Sequence, residues 1–146
     1  GWDLSDEVTL RTTLEIMKKY QNEYNWLFRL HPSMMNEKEK TRLKEMLASN
    51  GIQNYEMDMC SSVSLFDVLA ITDIHITHSS SVVLEASWFK IKSIITSEYG
   101  WGIFNGQLAA DQIFQALTQN ELDEALKSIE INRSENKLNK LINTRV

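Results

Sequence analysis

Residues 71–96 of this chain are ITDIHITHSSSVVLEASWFKIKSIIT, and they decide the fold. Residues 71–77 are rich in β-branched side chains, which predicts a strand. Residues 79–89 carry apolar side chains three and four positions apart, the spacing of one helix face. Residues 91–96 are again apolar and β-branched. The stretch therefore predicts two parallel strands joined by a helix.

Strands and helices also alternate on either side of this stretch. A short bulky run over residues 26–30 predicts a strand that ends in a turn at His31-Pro32. The other predicted elements upstream are a helix over residues 6–24 capped by Ser5, a helix from Asn36 and Glu39 to Asn50-Gly51, a strand over residues 52–59, and a short helix capped by Ser64 and Asp67. Those downstream are a loop over residues 97–107, a helix capped by Asn120, and a marginal helix or tail over residues 133–146.

This alternation indicates one α/β domain. Near-continuous apolar strands are typical of a parallel sheet covered on both faces, so we predict a doubly wound, Rossmann-like sheet over residues 1–132 and a C-terminal helix or tail over residues 133–146. The first helix has no strand before it. We therefore expect a piece of a longer protein, with a sheet edge that a missing N-terminal domain or a second copy in a homodimer can cover.

Charge and composition narrow the class of partner. The chain carries 20 acidic and 15 basic residues, a net charge of −5, so no broad positive field exists to attract nucleic acid. Cys60 is the single cysteine and cannot form an internal disulfide. No apolar run approaches the roughly 18 residues of a membrane span. We expect a cytoplasmic protein, with peripheral attachment to the inner membrane through the parent chain left open.

The polar turn after the predicted strand over residues 71–77 is the first candidate site. In doubly wound sheets, ligands bind beyond the carboxyl ends of the strands. Ser79, Ser80 and Ser81 supply hydroxyl groups there, and the start of a helix supplies free backbone N–H groups and positive dipole charge. This arrangement predicts a phosphate site. The alternative is that one serine only caps the helix.

Three further side chains are candidates for the same site. Glu85 lies one helical turn after Ser81, where its carboxylate can accept hydrogen bonds from ribose hydroxyls. His31 can donate a hydrogen bond to a phosphate oxygen or protonate a leaving group. Arg29, two residues earlier, can pair with a phosphate. The alternatives are a surface glutamate, a structural histidine and a surface salt bridge.

Other chemistries find less support. His75 and His78 are three residues apart, which places them on opposite faces of a strand, and no further metal ligand is close in sequence. We therefore predict no metal site. Cys60 has no evident base partner, which argues against a cysteine nucleophile. The absence of a Gly-rich fingerprint argues against a dinucleotide cofactor, and we predict none.

Two pieces of the sequence resemble a known class of enzyme. Arg29-Leu30-His31-Pro32 resembles the His-Pro motif of bacterial sialyltransferases and capsule Kdo transferases, and residues 79–86 resemble their serine motif. Cytidine-diphosphate-glycerol phosphotransferases have a similar pair. The resemblance implies the C-terminal, nucleotide-binding domain of a GT-B glycosyltransferase that makes capsule or lipopolysaccharide. It further implies a CMP-, CDP- or UDP-linked sugar, with its phosphate bound by Ser80 and Ser81 and its departure assisted by His31.

Two other interpretations remain open. The serine segment also resembles the His-Ser-Gly-Gly and Glu-Ala motif of UDP-N-acetylglucosamine 2-epimerases, although serines replace both glycines here. The other interpretation is a non-enzymatic interaction domain, in which Ser79 only caps its helix and Trp101 docks a partner. Because the N-terminal half of a GT-B enzyme supplies the base, we expect no turnover by this chain alone. The predicted loop with its aromatic residues 98–104 either covers the donor sugar or packs against the missing domain.

Overall fold

The computed structural model describes residues 7–143, which form seven α-helices and five short strands. The helices are α1 (Glu7–Tyr20), α2 (Glu37–Ser49), α3 (Asp58–Ser62), α4 (Leu65–Ala70), α5 (Val82–Trp88), α6 (Glu98–Phe104) and α7 (Gln119–Asn143). The strands are β1 (Trp26–Leu27), β2 (Tyr55–Glu56), β3 (Ile74–Thr77), β4 (Lys92–Ile95) and β5 (Ile113–Gln115). A 3-10 helix, Pro32–Met34, follows β1.

The strands form two sheets, and every pairing is parallel. Strand β1 pairs with β2, and the second sheet has the order β3-β4-β5. Strand β4 is central, so its carboxyl end lies beside that of β3: Thr77 is in register with Ile95. The polar segments that follow these two strands therefore leave the sheet side by side.

Helices cover both faces of the three-stranded sheet. Ile94 and Ile95 are neighbours on β4 and point to opposite faces, and both are fully buried. Ile94 packs in a cluster with residues of α1 and α7, whereas Ile95 packs with Val83 of α5 and Phe104 of α6. The predicted α/β class is confirmed at this level.

Helix α1 connects the two sheets. Its Leu14 and Met17 pack in a core that surrounds the two-stranded sheet, while its Ile16 and Tyr20 pack against the three-stranded sheet and α7. The buried members of the first core are Leu10, Leu14, Met17, Phe28, Leu30, Leu43, Leu47, Ile52 and Met57. The two cores therefore share one helix.

Asp123 of α7 ties that helix to α1. Its carboxylate accepts a hydrogen bond from the Tyr20 hydroxyl and forms ion pairs with Lys19 at 3.1 Å and Lys127 at 3.0 Å. These partners stabilise the charged carboxylate and hold the pKa of Asp123 well below its usual range. The Asp123 cluster is thus a polar link between the first and last described helices.

Two predicted helix starts are confirmed by their capping bonds. Asn36 Oδ1 accepts from the Glu39 N–H at 2.9 Å, and Ser64 Oγ accepts from the Asp67 N–H at 3.3 Å. The predicted stop is also present, because Gly51 adopts a φ of +72° just after α2. These features depend on residues within one helical turn of each other.

The predicted loop over residues 97–107 is wrong, because Glu98–Phe104 form helix α6. Ser97 caps this helix by accepting a hydrogen bond from the Gly100 N–H at 2.9 Å. Glycines at 100, 102 and 106 predicted a loop, since glycine weakens an isolated helix. The cap and the packing of Phe104 in the core outweigh that cost.

The strands are shorter than predicted. The strand predicted over residues 26–30 is reduced to Trp26–Leu27, and the one over residues 52–59 to Tyr55–Glu56. The second ends early because the Glu56 carboxylate accepts from the Met59 and Cys60 N–H groups at 2.7 and 2.9 Å and so starts helix α3. Strand β5 was not predicted from the sequence at all.

The last helix also differs in its cap. Asn120 is not the cap: Thr118 Oγ1 accepts from the Glu121 N–H at 3.2 Å, and α7 begins at Gln119. Helix α7 continues through residue 132, where we placed the domain boundary, to Asn143. Ser5, the predicted cap of α1, lies outside the described residues. No helix within residues 7–143 has the length and apolar character needed to cross a membrane.

Candidate functional site

The three predicted phosphate-binding serines form a turn at the carboxyl end of β3. We predicted that the helix would begin at Ser79, but α5 begins at Val82. Residues 78–81, here called the serine turn, therefore connect the strand to the helix. Ser81 is the residue before α5, yet its side chain makes no capping hydrogen bond.

Hydrogen bonds to neighbouring residues hold the serine turn in shape. Thr77 Oγ1 accepts from the Ser80 N–H at 3.1 Å, and Ser80 Oγ accepts from the Val82 N–H at 3.3 Å. Ser79 Oγ lies 3.2 Å from Nδ1 of His78. The alternative in which one serine caps the helix is therefore supported for Ser80, which bonds to the first helical N–H, and its assignment to Ser79 is wrong.

Two backbone N–H groups of the serine turn can still donate a hydrogen bond. Among the described residues, no hydrogen bond engages the backbone N–H of Ser79 or Ser81. Ser81 is exposed and Ser79 is half-buried. Backbone N–H groups between a strand and a helix bind anions well, because the helix dipole adds positive potential there.

The junction between β4 and α6 packs against the serine turn. Ser97 Oγ donates to the His78 carbonyl at 2.7 Å, and the Thr96 N–H donates to the Thr77 carbonyl at 2.9 Å. Gly100 lies so close to the His78 carbonyl that a Cβ at this position would collide with it. This junction therefore fixes the start of the serine turn from the neighbouring strand.

Glu85 contributes an unusual acceptor. Its Oε2 atom is buried and has no hydrogen-bond partner among the described residues. A buried carboxylate oxygen without a partner is costly, so such atoms are uncommon in folded proteins. Glu85 lies four residues after Ser81, one turn into α5, and so shares a helix face with Ser81. Because the Oε2 atom is closed to solvent, the Glu85 side chain must turn toward the surface before a ligand can donate to it.

His31 is exposed and serves as the cap of the 3-10 helix after β1. Its Nδ1 accepts from the Ser33 N–H at 3.2 Å and lies 2.8 Å from Ser33 Oγ. Because Nδ1 is an acceptor, the neutral ring carries its proton on Nε2. The imidazole can therefore present an N–H donor to a phosphate while its other nitrogen holds the backbone.

Arg29 makes structural contacts. Its Nη1 donates to the carbonyls of Cys60 and Val63, both at 2.7 Å, at the carboxyl end of α3. Ser61 of α3 bonds to the same extended segment, accepting from the Leu30 N–H at 3.2 Å. Arg29 thus fastens the segment that leads to His31 onto α3.

The structure brings some of the predicted residues together and leaves others apart. Ser79, Ser80, Ser81 and Glu85 lie within the serine turn and the first turn of α5. No hydrogen bond or ion pair among the described residues joins His31 or Arg29 to these serines. Trp101, the predicted docking residue, is half-buried and packs in the core of α5 and α6, whereas Tyr99 is 70% exposed.

His75 and Cys60 both have partners within the fold. His75 Nδ1 lies 2.9 Å from Ser93 Oγ on the neighbouring strand, and burial lowers the pKa of His75 to about 4. Burial and the nearby Glu56 carboxylate raise the pKa of Cys60 to about 11, so its thiol is protonated at neutral pH. No group of side chains suited to hold a metal ion occurs in the described part of the chain.

A separate groove of about 440 Å³ lies between α2 and the segment around β2. Its lining includes Lys44 and Asp58, which form a 3.1 Å ion pair. None of the predicted site residues lines this groove. We therefore keep the serine turn as the candidate site, because its chemistry, and not its depth, distinguishes it.

Sequence reasoning did not identify Ser97 and Gly100 as neighbours of the serine turn. The available signal was Ser97 followed by Glu98, a cap and an acidic first turn, which is also compatible with a loop.

Comparison of the chain with family models, with curated proteins and with solved structures finds no match in any of the three.

Proposed function

We propose that this chain is the nucleotide-binding half of a GT-B glycosyltransferase that uses a CMP-, CDP- or UDP-linked sugar to build a surface polysaccharide. One observation carries the proposal. Two unengaged N–H groups of the serine turn and the unpartnered Oε2 of Glu85 occur one helical turn apart at the carboxyl edge of a parallel sheet. Donors for a phosphate and an acceptor for hydroxyls match the two polar parts of a nucleotide.

In this proposal, the phosphate binds at the serine turn. The N–H groups of Ser79 and Ser81 and the Ser81 hydroxyl donate to its oxygens, and the dipole of α5 adds to the attraction. Ser80 supports the turn through its bond to the Val82 N–H. The rigid neighbours of the turn keep the donors oriented before the ligand arrives, which lowers the entropic cost of binding.

Glu85 accepts hydrogen bonds from the ribose hydroxyls. The side chain turns to meet them, and a ligand that donates to Oε2 then supplies the hydrogen bond that this oxygen lacks in the folded chain. His31 donates from Nε2 to the leaving phosphate, which stabilises the negative charge that forms when the sugar departs. The acceptor and the catalytic base belong to a second domain, and this chain alone does not turn over.

We also propose that the two sheets belong to one doubly wound sheet, with β1 beside β3. Trp26 of β1 packs against both hydrophobic cores, and Ile74 and Ile76 of β3 pack against one of them. This order places His31 and the serine turn at the same edge. Spin labels on H31C and S81C in a C60S background test it, because adjacent strands lie about 5 Å apart and the labels should be within about 20 Å.

Isothermal titration of the chain with CMP, CDP, UDP and GDP tests the proposed function. We expect at least one pyrimidine nucleotide to bind, and the double variant S80A/S81A to bind it at least tenfold more weakly. The matched control is S49A/S62A, because these two exposed serines each donate to a nearby backbone carbonyl and lie on other helices. The control should bind as the unchanged chain does.

Failure would have a clear form. If the chain is folded by circular dichroism and binds none of the four nucleotides at millimolar concentration, the proposal is wrong. If it binds a nucleotide and S80A/S81A binds equally well, the ligand lies elsewhere. An interaction domain in which the serines only shape a turn predicts small stability changes and no change in affinity.

A further inference from the structure

Two residues outside the serine turn contact His78, the residue at which the turn starts. Ser97 Oγ makes two hydrogen bonds at once: it accepts from the Gly100 N–H at 2.9 Å and donates to the His78 carbonyl at 2.7 Å. Gly100 is buried between this carbonyl, the Ile95 side chain and Ser97 Oγ. The cap of α6 is therefore also the support of His78.

Gly100 has a specific structural reason to be glycine. Its backbone is helical and needs no positive φ. However, a Cβ would collide with the His78 carbonyl and come within 2.9 Å of Ile95 Cγ2 and 3.0 Å of Ser97 Oγ. The colliding atom is backbone, so the collision cannot be relieved by a rotamer change. Any larger residue must move the His78 peptide.

We propose that Ser97 and Gly100 are positioning residues for the serine turn. They act on the His78 peptide, whose displacement changes the direction of the Ser79 N–H and of the donors that follow it. Thr77 is held from the same side, because the Thr96 N–H donates to its carbonyl at 2.9 Å. The carboxyl end of β4 thus sets the geometry of the serine turn at the end of β3.

Gly102 provides a matched control within the same helix. A Cβ built at Gly102 meets nothing within 4 Å, and the residue is exposed. The variants G100A and G102A therefore add the same methyl group to α6, two residues apart, and both raise helix propensity. Only the first pushes on the His78 carbonyl.

The test has two readouts, the conformation of the serine turn and its affinity for a nucleotide. Backbone amide chemical shifts of Ser79, Ser80 and Ser81 are recorded by nuclear magnetic resonance for the chain and for G100A, G102A, S97A and S97T. We expect G100A and S97A to shift these amides by more than about 0.2 ppm in the proton dimension, and G102A and S97T to leave them in place. The S97T variant keeps the hydroxyl that bonds to the His78 carbonyl, so it separates loss of this bond from a general effect of substitution.

The predicted effect on nucleotide affinity rests on the proposed function. Affinity is therefore measured as a separate readout from the amide shifts. With the pyrimidine nucleotide that binds best, G100A should bind at least tenfold more weakly and S97A three- to tenfold, with S97T and G102A unchanged. If no nucleotide binds the unchanged chain, the proposed function fails and the amide shifts still decide the positioning role. If G100A does not fold, S97A and S97T decide it.

The positioning role is overturned by either of two results. One is unchanged Ser79 to Ser81 amides in S97A or in folded G100A. The other is a nucleotide affinity that is the same in the unchanged chain, in folded G100A and in S97A.

Discussion

The ends of β1 and β3 differ in what their polar side chains do. After β1, Arg29 donates to two carbonyls of the α3 segment, and Nδ1 of His31 holds the Ser33 N–H. After β3, two backbone N–H groups and one buried carboxylate oxygen remain unengaged among the described residues. Both segments follow parallel strands and both carried predicted site residues.

This difference separates residues that support a site from residues that leave capacity for a ligand. A polar group whose hydrogen bonds are already satisfied within the protein gains little from a ligand, whereas an unsatisfied one gains more. Unused hydrogen-bonding capacity is therefore a better guide to a binding site than residue type. The following variants test the contrast, in order of decreasing effect.

Replacement of Arg29 should have the largest effect on stability. R29M keeps the length of the side chain but removes two charged hydrogen bonds and leaves the Cys60 and Val63 carbonyls without this donor. We expect the free energy of unfolding to fall by about 3 kcal/mol. Urea denaturation measures it, with R42M as the control, since Arg42 is exposed on α2. Unchanged stability with a large loss of nucleotide affinity would show that Arg29 belongs to the site.

Acid should destabilise the folded protein through His75 of β3. Burial lowers the pKa of His75 from 6.5 to about 4, so the unfolded chain takes up a proton at a higher pH than the folded protein. This contribution to stability is complete above pH 6.5 and is lost as pH falls toward 4, by about 3 kcal/mol in total.

Urea denaturation between pH 7.5 and 4 measures this loss, and H75N should flatten the profile in that window. The lowered pKa values of Asp123 and Glu56 act in a lower range, because stability from a charged carboxylate is lost only when pH falls below the pKa of the unfolded group, near 4. A profile of H75N as steep as that of the unchanged chain between pH 6.5 and 4 would contradict the assignment.

Glu85 should matter more for binding than for stability. E85Q keeps the shape of the side chain but removes the charge from a buried oxygen that has no partner in the described residues. We expect nucleotide affinity to fall about tenfold, or about 1.4 kcal/mol, while the free energy of unfolding changes by less than this. E124Q, at an exposed position on α7, is the control. A clear loss of stability in E85Q with unchanged affinity would mean that the carboxylate has a structural role.

The smallest effect concerns the end of α5, away from the serine turn. Lys90 has a φ of +59°, a conformation that favours glycine, and it follows the helix where its N–H donates to the Ser87 carbonyl at 3.0 Å. K90G should raise the free energy of unfolding by about 0.5–1 kcal/mol and leave binding unchanged. G51A provides the reverse, because Gly51 has a φ of +72° with open space around it, and it should lose about 1 kcal/mol.

The helix starts at Asn36 and Ser64 could be predicted because each cap and its partner are three residues apart in sequence. Helix α6 could not, because its glycines argue for a loop and the reason for Gly100 is a contact with the His78 carbonyl in the serine turn, which follows a different strand. Strand β5 has only three residues, too few for a period of two to be recognised.

The same division applies to the site. The serine turn and Glu85 are contiguous in sequence, so their proximity could be predicted from the spacing of a helix. Arg29 was predicted as a phosphate ligand, but its partners in the structure are carbonyls 31 and 34 residues away, and no local pattern encodes them. Ser97 and Gly100 act across a parallel strand pair in the same way.

The Asp123 cluster has a consequence for the order of folding. The cluster joins Tyr20 to Asp123 across 103 residues, whereas the pairing of β3 with β4 joins His75 to Ser93 across 18. Closing the longer loop first costs about 1.5 kcal/mol more in chain entropy. We therefore expect β3, α5 and β4 to assemble early and α1 to dock on α7 late, so that the chain folds from its middle toward its two ends.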